Sequence, residues 1–447
     1  MINLNILVVG GGAREHAICD AVCRSKGDIQ LYSVMSNLNP GIKHLSKDFL
    51  QEKETNVSQV INYANGKNID LVIVGPEAPL EAGLVNELNK HGINSCAPTK
   101  DAARIETDKE WMRDLLKRYK IHGQLKCESF TDVQKAKIFI NDLNGEIAIK
   151  PIGLTGGKGV KVSGDHFHGM DEALTYVKEV INYKIGGKAK VLIEEKAVGE
   201  EFTLQAFSDG HSILPLHAVQ DHKRLLPGDK GPNTGGMGSY SCADGLLPFL
   251  SKSEYEEAAV ILQNIVEALN KEGCKYIGPI YGQFMITTYG PKIIEINARF
   301  GDPEAMNVLP LLETDFVGIC KAMLDGNISN EKIQLGKKST VCKYIVPEGY
   351  GIKSMVGEKV FVDEKSIKDT GSRLFYASVN KDNDNIYTTS SRSLAVVGIA
   401  DKLYDAEKIC EKALNHVNGK HIFFRHDIGT VELIEKRMEH MRKLRGM

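Results

Sequence analysis

The sequence has few aromatic residues and almost no net charge. Tryptophan occurs once, and aromatic residues make up 7% of the chain. The 56 Lys and Arg residues are balanced by 58 Asp and Glu residues, which leaves a formal net charge of -2. Such a composition provides neither the positive field nor the aromatic platforms with which proteins bind nucleic acid. We therefore expect no nucleic-acid partner.

Long apolar runs and paired cysteine motifs are also missing. No apolar segment approaches the roughly 20 residues that cross a bilayer, and MINLNILVVGGG has no basic signal-peptide region. The nine cysteines are an odd number without two CxxC pairs at zinc-site spacing, so neither a disulfide framework nor a structural zinc is expected. The sequence predicts a cytoplasmic protein without membrane contacts. It is compatible with a monomer but does not fix the oligomeric state.

At 447 residues the chain is expected to form about three domains. Its first hundred residues alternate apolar strand patterns with helical patterns, which predicts a parallel α/β domain. Two α+β units follow, and beyond about residue 335 short strands with turn signals predict a β-rich region. The predicted strands are 4–9, 29–34, 69–74, 93–96, 146–150, 158–163, 190–194, 201–208, 278–288 and 292–298, and the predicted helices are 13–26, 131–141, 170–184, 252–272 and 404–418.

The segment GGGAREHA follows the first strand and begins a helix, so its backbone amides could bind an anion at the helix N-terminus. The dinucleotide pattern GxGxxG fails because Glu15 stands at the third glycine, and no acidic residue ends the second strand. NAD is therefore disfavoured. A plain strand-to-helix turn is the alternative.

The segment KPIGLTGGKGV, residues 150–160, is a glycine-rich hairpin between two predicted strands. The Walker pattern fails because Ile152 replaces its first glycine and Gly159 follows the lysine. A hairpin of this kind could fold over a triphosphate, with Lys158 on the outer phosphates and Lys150 on the inner ones. Taken alone, a glycine hairpin with lysines is more often a mobile turn. The next strand, VLIEEKAVGEEF, could offer backbone groups to adenine and the Glu201 carboxylate to a ribose.

The segment YGQFMITTYGPKIIEINARFGDPE carries the most specific pattern. Two strands joined by a YGP turn carry Gln283, Glu295 and Asn297, and the last two share a sheet face because they are two residues apart. Oxygen ligands converging on one face suit Mg²⁺ held between nucleotide phosphates. Arg299 continues that face and could meet a transferring phosphoryl group.

Together these segments resemble the phosphoribosylamine–glycine ligase family, which has the ATP-grasp fold. The resemblance covers nearly the whole chain, and QDHKR (220–224), GPNTGGMGSYS (231–241) and INARFGDPE (296–304) are its most specific parts. It implies an α/β and α+β multidomain protein. The implied domains are an N-terminal parallel α/β substrate domain at 1–105, an ATP-grasp core at 106–127 and 195–334, a mobile lid at 128–194 and a small β-rich domain at 335–447.

The resemblance also implies a reaction and the residues that perform it. Glycine and 5-phosphoribosylamine would be joined at the expense of ATP through a glycyl phosphate, with Mg²⁺ or Mn²⁺, as two ions, bound to Gln283, Glu295 and Asn297. Nucleotide-binding residues would be Lys109, Lys150, Gly156, Gly157, Lys158, Glu194, Glu195, Ala197 and Glu201. Substrate-binding residues would be Gly10, Gly11, Gly12, Arg14, Glu15, Glu77, Asp221, Lys223, Arg224 and Asn233, and catalytic residues would be Lys158, Arg299 and Asp302.

Two segments depart from the family pattern. SNLNPGIK, residues 36–43, stands where many members carry PGNxGT, and Pro151 and Ile152 replace an alanine and an acidic residue in the lid hairpin. Another ATP-grasp carboxylate–amine ligase would share the nucleotide and metal residues but should lack QDHKR and GPNTGGMG. An ATP-binding protein without activity should have lost Lys158 or Glu295, and both are present.

Overall fold

The N-terminal sheet is parallel, as predicted, with strand order β3-β2-β1-β4-β5. A computed structural model describes residues 3–155, 159–383 and 385–447. The glycine loop follows the central strand, so it lies at the carboxyl edge where ligands bind in such sheets. The strands are β1 Asn3–Val9, β2 Asp28–Met35, β3 Asp48–Gln51, β4 Leu71–Val74 and β5 Asn94–Ser95, and the helices are α1 Ala13–Cys23, α2 Pro40–Leu45, α3 Val57–Gly66, α4 Glu77–Glu81 and α5 Leu84–Lys90.

Two helices lead from this sheet to a small antiparallel sheet, here called the lid sheet. Its strand order is β6-β9-β7-β8, and buried Ile147, Ile149 and Ile193 pack it against two helices. The second strand of the glycine hairpin is shorter than predicted, spanning only two residues. The elements are α6 Lys100–Thr107, α7 Lys109–Arg118, β6 Cys127–Phe130, α8 Val133–Asp142, β7 Ile147–Pro151, β8 Lys161–Val162, α9 Met170–Asn182 and β9 Val191–Glu195.

A second antiparallel sheet, the core sheet, has strand order β11-β10-β16-β17. Gln283 pairs with Glu295 across its last two strands, next to a register shift between Gln283 and Phe284. The region predicted as a loop, 220–238, contains short strands. The elements are β10 Glu200–Asp209, β11 Ile213–Pro215, β12 Gln220–Asp221, β13 Arg224–Leu226, β14 Lys230–Asn233, β15 Gly238–Ser241, α10 Lys252–Lys271, β16 Ile277–Thr287, β17 Gly290–Asn297, α11 Ala305–Val308 and α12 Phe316–Asp325.

The C-terminal region is rich in short strands, as predicted, and is joined to the core by hydrogen bonding. One sheet has the order β12-β15-β18-β23-β20, with β25 also on β18, so it includes strands from both sides of residue 335. A smaller sheet has the order β21-β22-β19-β24. The elements are β18 Ser339–Pro347, β19 Lys359–Val362, α13 Glu364–Asp369, β20 Arg373–Tyr376, β21 Val379–Asp382, β22 Asn385–Thr388, β23 Leu394–Ala400, α14 Leu403–Leu414, β24 Val417–Gly419, β25 Ile422–Phe423 and α15 Val431–Leu444.

Among the described helices, none combines the length and apolarity needed to cross a membrane.

Candidate active site

One continuous cleft lies between the lid sheet and the core sheet. Its larger cavity, of about 430 Å³, lies between these two sheets. Its smaller cavity, of about 310 Å³, extends towards the N-terminal and C-terminal regions. Asp221, Lys223, Thr234 and Glu295 border both cavities, so the two are connected. A third cavity, of about 210 Å³, borders the glycine loop.

Most of the predicted site residues border these cavities. Gly10, although described, borders none of the three, and the predicted residues Gly156, Gly157 and Lys158 lie outside the described part of the chain. In addition to the shared residues, the larger cavity is bordered by Lys150, Glu194, Glu195, Ala197, Glu201, Arg224, Asn233 and Gln283, the smaller one by Arg14, Glu77, Lys109, Asn297, Arg299 and Asp302, and the third by Gly11, Gly12 and Glu15.

Glu194 is fully buried and forms the centre of an ion cluster beneath the larger cavity. Its carboxylate accepts two hydrogen bonds from Arg113, at 2.6 and 3.0 Å, and lies 2.7 Å from the Lys150 ammonium. Burial alone would raise the pKa of Glu194, but Arg113 and Lys150 hold it below its usual range. Because both cations are partners of Glu194, its carboxylate holds Lys150 in position at the border of the larger cavity.

The same cluster joins the lid to the strand that carries Glu295. Arg113 donates to the carbonyls of Ile293 and Ile294, at 3.0 and 3.1 Å, and Lys150 also donates to the Ile294 carbonyl, at 3.0 Å. These bonds fix the backbone immediately before Glu295. The lid sheet, α7 and β17 are therefore held at one point.

Three oxygen-bearing side chains meet at the junction of the two cavities. Asn297 donates to the Glu295 carboxylate at 3.2 Å, and Gln283 donates to Glu201 while its own carbonyl accepts from Tyr281 at 3.3 Å. Burial alone would raise the pKa of Glu295, but Lys223 and the bond from Asn297 keep it below its usual range. An ionised carboxylate with two neighbouring amide oxygens is a donor set suited to a hard divalent cation.

Asp221 and Lys223 form the floor shared by both cavities. Lys223 lies 3.2 Å from Glu201 and 3.5 Å from Asp221, and these two carboxylates raise its pKa although burial opposes the charge. Burial raises the pKa of Asp221 to about 7. Within the described residues, the buried Oδ1 of Asp221 has no hydrogen-bond partner. This oxygen is a candidate acceptor for a substrate donor.

Arg299 is held between two acidic residues beside the smaller cavity. It lies 3.3 Å from Glu77 and 3.0 Å from Glu106, and it donates to the side-chain carbonyl of Asn297 at 3.2 Å. Burial raises the pKa of Glu106 to about 7, against the effect of Arg299. Lys109 reaches the same cavity and donates to the Gly153 carbonyl at 2.8 Å. The smaller cavity is therefore bordered by two cationic side chains, Lys109 and Arg299.

Arg224 and Glu195 make contacts that the sequence did not predict. Arg224 lies 2.5 Å from Asp165, so the hairpin of β13 and β14 is joined to the lid by an ion pair. The backbone N–H of Glu195 donates to the Lys126 carbonyl at 2.8 Å, which leaves only its carbonyl for a ligand. The backbone of Glu195 can therefore bind a ligand only by accepting a hydrogen bond at its carbonyl oxygen.

The glycine loop is not free to bind an anion as the sequence predicted. The Gly12 N–H donates to the Glu15 carboxylate at 2.7 Å, and the Gly10 N–H donates to the Val34 carbonyl at 2.8 Å. Glu15 is also paired with Arg14 at 2.6 Å. A carboxylate from the helix itself therefore occupies the N-terminus at which an anion was expected, and two of the three glycine amides are already used.

Several residues that border the cleft were not identified from the sequence. Glu106, Glu304 and Arg392 border the smaller cavity, and Arg437 of α15 borders the larger one. Arg437 is paired with Asp229 and, at 3.1 Å, with Glu200. The local sequences of Glu106, Arg392 and Arg437 carry no recognisable motif, and the fold brings these three residues to the cleft. Glu304 ends the segment INARFGDPE, from which Asn297, Arg299 and Asp302 were predicted, and Asp302 accepts a hydrogen bond from the Tyr344 hydroxyl at 2.5 Å.

Comparison with known proteins places the chain in a family. Family models for the N domain, the ATP-grasp (A) domain and the C domain of phosphoribosylglycinamide synthetase match residues 4–106, 107–305 and 340–431, respectively. A relative from Methanothermobacter thermautotrophicus, named phosphoribosylamine–glycine ligase, is 52% identical over 443 residues, which cover 99% of this chain and 100% of the relative. A relative of the same name from Methanobrevibacter smithii is 49% identical, again over 99% and 100% of the two chains.

Solved structures agree with the fold. The crystal structure of phosphoribosylamine–glycine ligase from Thermotoga maritima has a TM-score of 0.80 at 24% identity and covers 95% of this chain and 100% of that chain. A biotin carboxylase from Campylobacter jejuni, in complex with β,γ-ATP, has a TM-score of 0.71 at 13% identity, covering 98% and 95%. The chain belongs to the phosphoribosylglycinamide synthetase family and has its ATP-grasp fold.

Proposed function

We propose that this protein catalyses the ATP-dependent ligation of glycine to 5-phosphoribosylamine in purine biosynthesis, giving glycinamide ribonucleotide, ADP and phosphate. The observation that carries the proposal is the connected cleft, in which a nucleotide-sized cavity meets a second, charged cavity at Glu295, Asp221 and Lys223. Two substrates bound on either side of this junction would meet in a reactive geometry. Full-length relatives that are about half identical to this chain bear the name of this ligase.

ATP is assigned to the larger cavity. The Glu195 carbonyl and the Ala197 amide would hold adenine, and Glu201 would accept from the ribose hydroxyls. Lys150, held in place by Glu194, would neutralise inner phosphate charge, and Lys158 of the hairpin would neutralise the outer phosphates. The bridging pair between Arg224 and Asp165 would help keep the lid over the nucleotide.

Magnesium or manganese, as two ions, is assigned to Glu295, Asn297 and Gln283. The described residues contain no group of three or more His, Cys, Asp or Glu side chains that could hold a metal ion without other ligands. One carboxylate and two amide oxygens fit an ion that takes its remaining ligands from phosphates and water, which is the usual arrangement for Mg²⁺. When bound, such ions neutralise charge on the transferring phosphoryl group.

The first chemical step is phosphoryl transfer to glycine. A carboxylate oxygen of glycine attacks the γ-phosphorus, the bond to the β-phosphate oxygen breaks, and ADP leaves. Arg299 is placed to stabilise charge on the transferring group, because Glu77 and Glu106 fix its guanidinium beside Asn297. Positioning by these residues supports transfer without a covalent enzyme intermediate.

The second step is attack of the ribosylamine nitrogen on the glycyl carbonyl carbon. The new C–N bond forms, phosphate leaves, and the nitrogen loses a proton. Water must be excluded because it would hydrolyse the acyl phosphate. The lid on one side and the loop 231–238 with Asp302 on the other would enclose this intermediate, and the free Oδ1 of Asp221 would accept from a substrate amine.

The phosphoribosyl group is assigned to the region between Arg14, Glu77 and the glycine loop. Arg14 borders the smaller cavity, and Gly11 and Gly12 border the third cavity. Among the described residues that border the third cavity there is no lysine or arginine. The phosphate is therefore expected on the Arg14 side, and the third cavity suits only the uncharged part of the sugar.

The proposal is tested by identifying the product. Purified protein would be incubated with ATP, Mg²⁺, freshly made 5-phosphoribosylamine and one amino acid at a time, and the products would be separated and weighed by mass spectrometry. The expected result is glycinamide ribonucleotide with glycine and little product with alanine or serine. Equal products from several amino acids would identify another ATP-grasp carboxylate–amine ligase instead.

A further inference from the structure

Arg392 of the C-terminal region reaches the catalytic cleft although it lies far along the chain from every predicted site residue. It follows β22 and precedes β23, and its side chain borders the smaller cavity with 13% exposure. Arg392 is not among the described residues that border the larger cavity. Its position thus links it to the amino-acid and ribosylamine side of the cleft.

The guanidinium of Arg392 binds two loops at once. It donates to the carbonyls of Gly235, at 2.6 Å, and Asp302, at 2.9 Å, and it lies 3.1 Å from the Asp302 carboxylate. Its plane lies over the ring of Tyr344 at 4.5 Å, and the Tyr344 hydroxyl donates to Asp302 at 2.5 Å. A planar group with several donors can satisfy all of these acceptors, which a lysine ammonium in the same place cannot do.

The backbone held by Arg392 leaves no room for a side chain at Gly236 and little room at Gly235. A Cβ added to Gly236 would lie 2.8 Å from Pro303 Cδ, and Gly236 has a φ of +107°. A Cβ at Gly235 would lie 3.1 Å from the Tyr350 hydroxyl and 3.5 Å from the guanidinium carbon of Arg392. These contacts explain physically why the loop reads Gly-Gly at this point.

The loop that contains Gly235 and Gly236 is hydrogen-bonded to Lys223 through Thr234. The Gly236 N–H donates to the Thr234 hydroxyl at 3.1 Å, and both the N–H and the hydroxyl of Thr234 donate to the Lys223 carbonyl at 2.8 Å. Lys223 in turn lies between Glu201 and Asp221. A continuous series of short bonds therefore joins Arg392 to the junction of the two cavities.

We propose that Arg392 is a positioning residue for the glycine and phosphoribosylamine half of the reaction, acting by fixing the Gly235–Gly236 peptide and Asp302 as one wall of the smaller cavity. This inference rests on the proposed function. Without the guanidinium, the two loops lose their common partner and the wall is free to shift. ATP in the larger cavity should bind nearly as before, because Gly235, Asp302 and Arg392 are not among the described residues that border that cavity.

The test compares Arg392→Ala and Arg392→Lys with Arg373→Gln. Arg373 is a useful control because it is another C-terminal arginine that pairs with the N-terminal region, through Asp20 at 3.1 Å, outside the cleft. KM values for glycine and for phosphoribosylamine would be measured from product formation, and ATP affinity would be measured separately by calorimetry. Thermal melting would establish that each variant is folded. If Arg392→Ala does not fold, Arg392→Lys alone provides the comparison.

The expected result is a rise of at least about tenfold in the KM for one or both of glycine and phosphoribosylamine in each Arg392 variant, with ATP affinity within about twofold of the wild type. Millimolar guanidinium ions should restore part of the activity of Arg392→Ala, and Arg373→Gln should behave as the wild type. Unchanged substrate KM values, or equal weakening of ATP and substrates, would overturn the inference. Failure of the wild-type protein to form product would instead reject the proposed function.

Discussion

Replacement of Glu194 by glutamine removes one buried negative charge without changing the size of the side chain. The carboxylate neutralises Arg113 and Lys150, whose side chains are only 3% and 7% exposed. After Glu194→Gln, two cations face each other in the interior with an amide between them. The lid sheet, α7 and the backbone just before Glu295 all meet at this ion cluster. Loss of the Glu194 charge should therefore destabilise the ATP-grasp fold.

The size of the effect follows from the burial of the cluster. Removing one partner of a buried ion pair costs about 3–5 kcal/mol, because the remaining charge stays desolvated without compensation. The pKa of Glu194 is held below its usual range by these cations, so the group is ionised at neutral pH and its charge is fully lost in the variant. We therefore expect Glu194→Gln to lower the free energy of unfolding by an amount in this range, out of a typical total of about 5–15 kcal/mol.

Urea unfolding at pH 7, followed by circular dichroism, measures this loss directly. Glu87→Gln is the matched control, because its partner Lys90 lies at 2.7 Å in a pair whose side chains are 41% and 70% exposed. Such an exposed pair should contribute less than about 1 kcal/mol. A loss below about 1 kcal/mol for Glu194→Gln as well would show that the three charges of this cluster do not compensate one another in the interior.

Three further predictions concern other parts of the cleft. Glu295→Gln should lower kcat at least about 100-fold with an unchanged melting temperature, measured by ADP release and calorimetry, because a metal ligand loses its charge. Burial raises the pKa of Glu106 to about 7, so the free energy of unfolding should fall as the pH rises from about 5 to 8 and the buried group loses its proton. In urea unfolding, the free energy of unfolding of Glu106→Gln should fall by roughly 2 to 3 kcal/mol less than that of the wild type over this range. Asp165→Asn, which breaks the contact between lid and Arg224, should raise the KM for ATP about threefold in steady-state assays.

Each of these predictions has a contrary outcome. Normal ADP formation by Glu295→Gln would reject the metal assignment. Parallel pH profiles for Glu106→Gln and the wild type would show that Glu106 is ionised in the folded protein. An unchanged KM for ATP in Asp165→Asn would show that the ion pair between lid and core does not contribute to nucleotide binding.

Most regular elements could be predicted from the sequence because their own residues carry the signal. The run before the glycine loop is apolar at every inward position, and its strand, β1, extends to Val9 as predicted. β6, with the sequence CESF, was not predicted because it has no apolar alternation and is held by pairing with β9. The strands in 220–241 were also missed, since they pair partly with a sheet formed by residues beyond 335.

The candidate site was predictable where chemistry and spacing coincide in one segment. Glu295 and Asn297 are two residues apart on a strand, so sequence alone placed them on one face, and the structure brings them within 3.2 Å. Arg392 and Asp302 are 90 residues apart, and no local pattern connects them. The occupation of the Gly12 amide was missed, although Glu15 stands three residues after this N-cap, from which a glutamate can turn back to the N-cap N–H.

The most direct test of the central claim is ADP release from the purified protein with ATP and Mg²⁺, with glycine and fresh 5-phosphoribosylamine each supplied or omitted. We expect sustained release only when both are present, because glycyl phosphate stays enclosed until the ribosylamine attacks it. Equal release without the ribosylamine, or without glycine, would contradict the account.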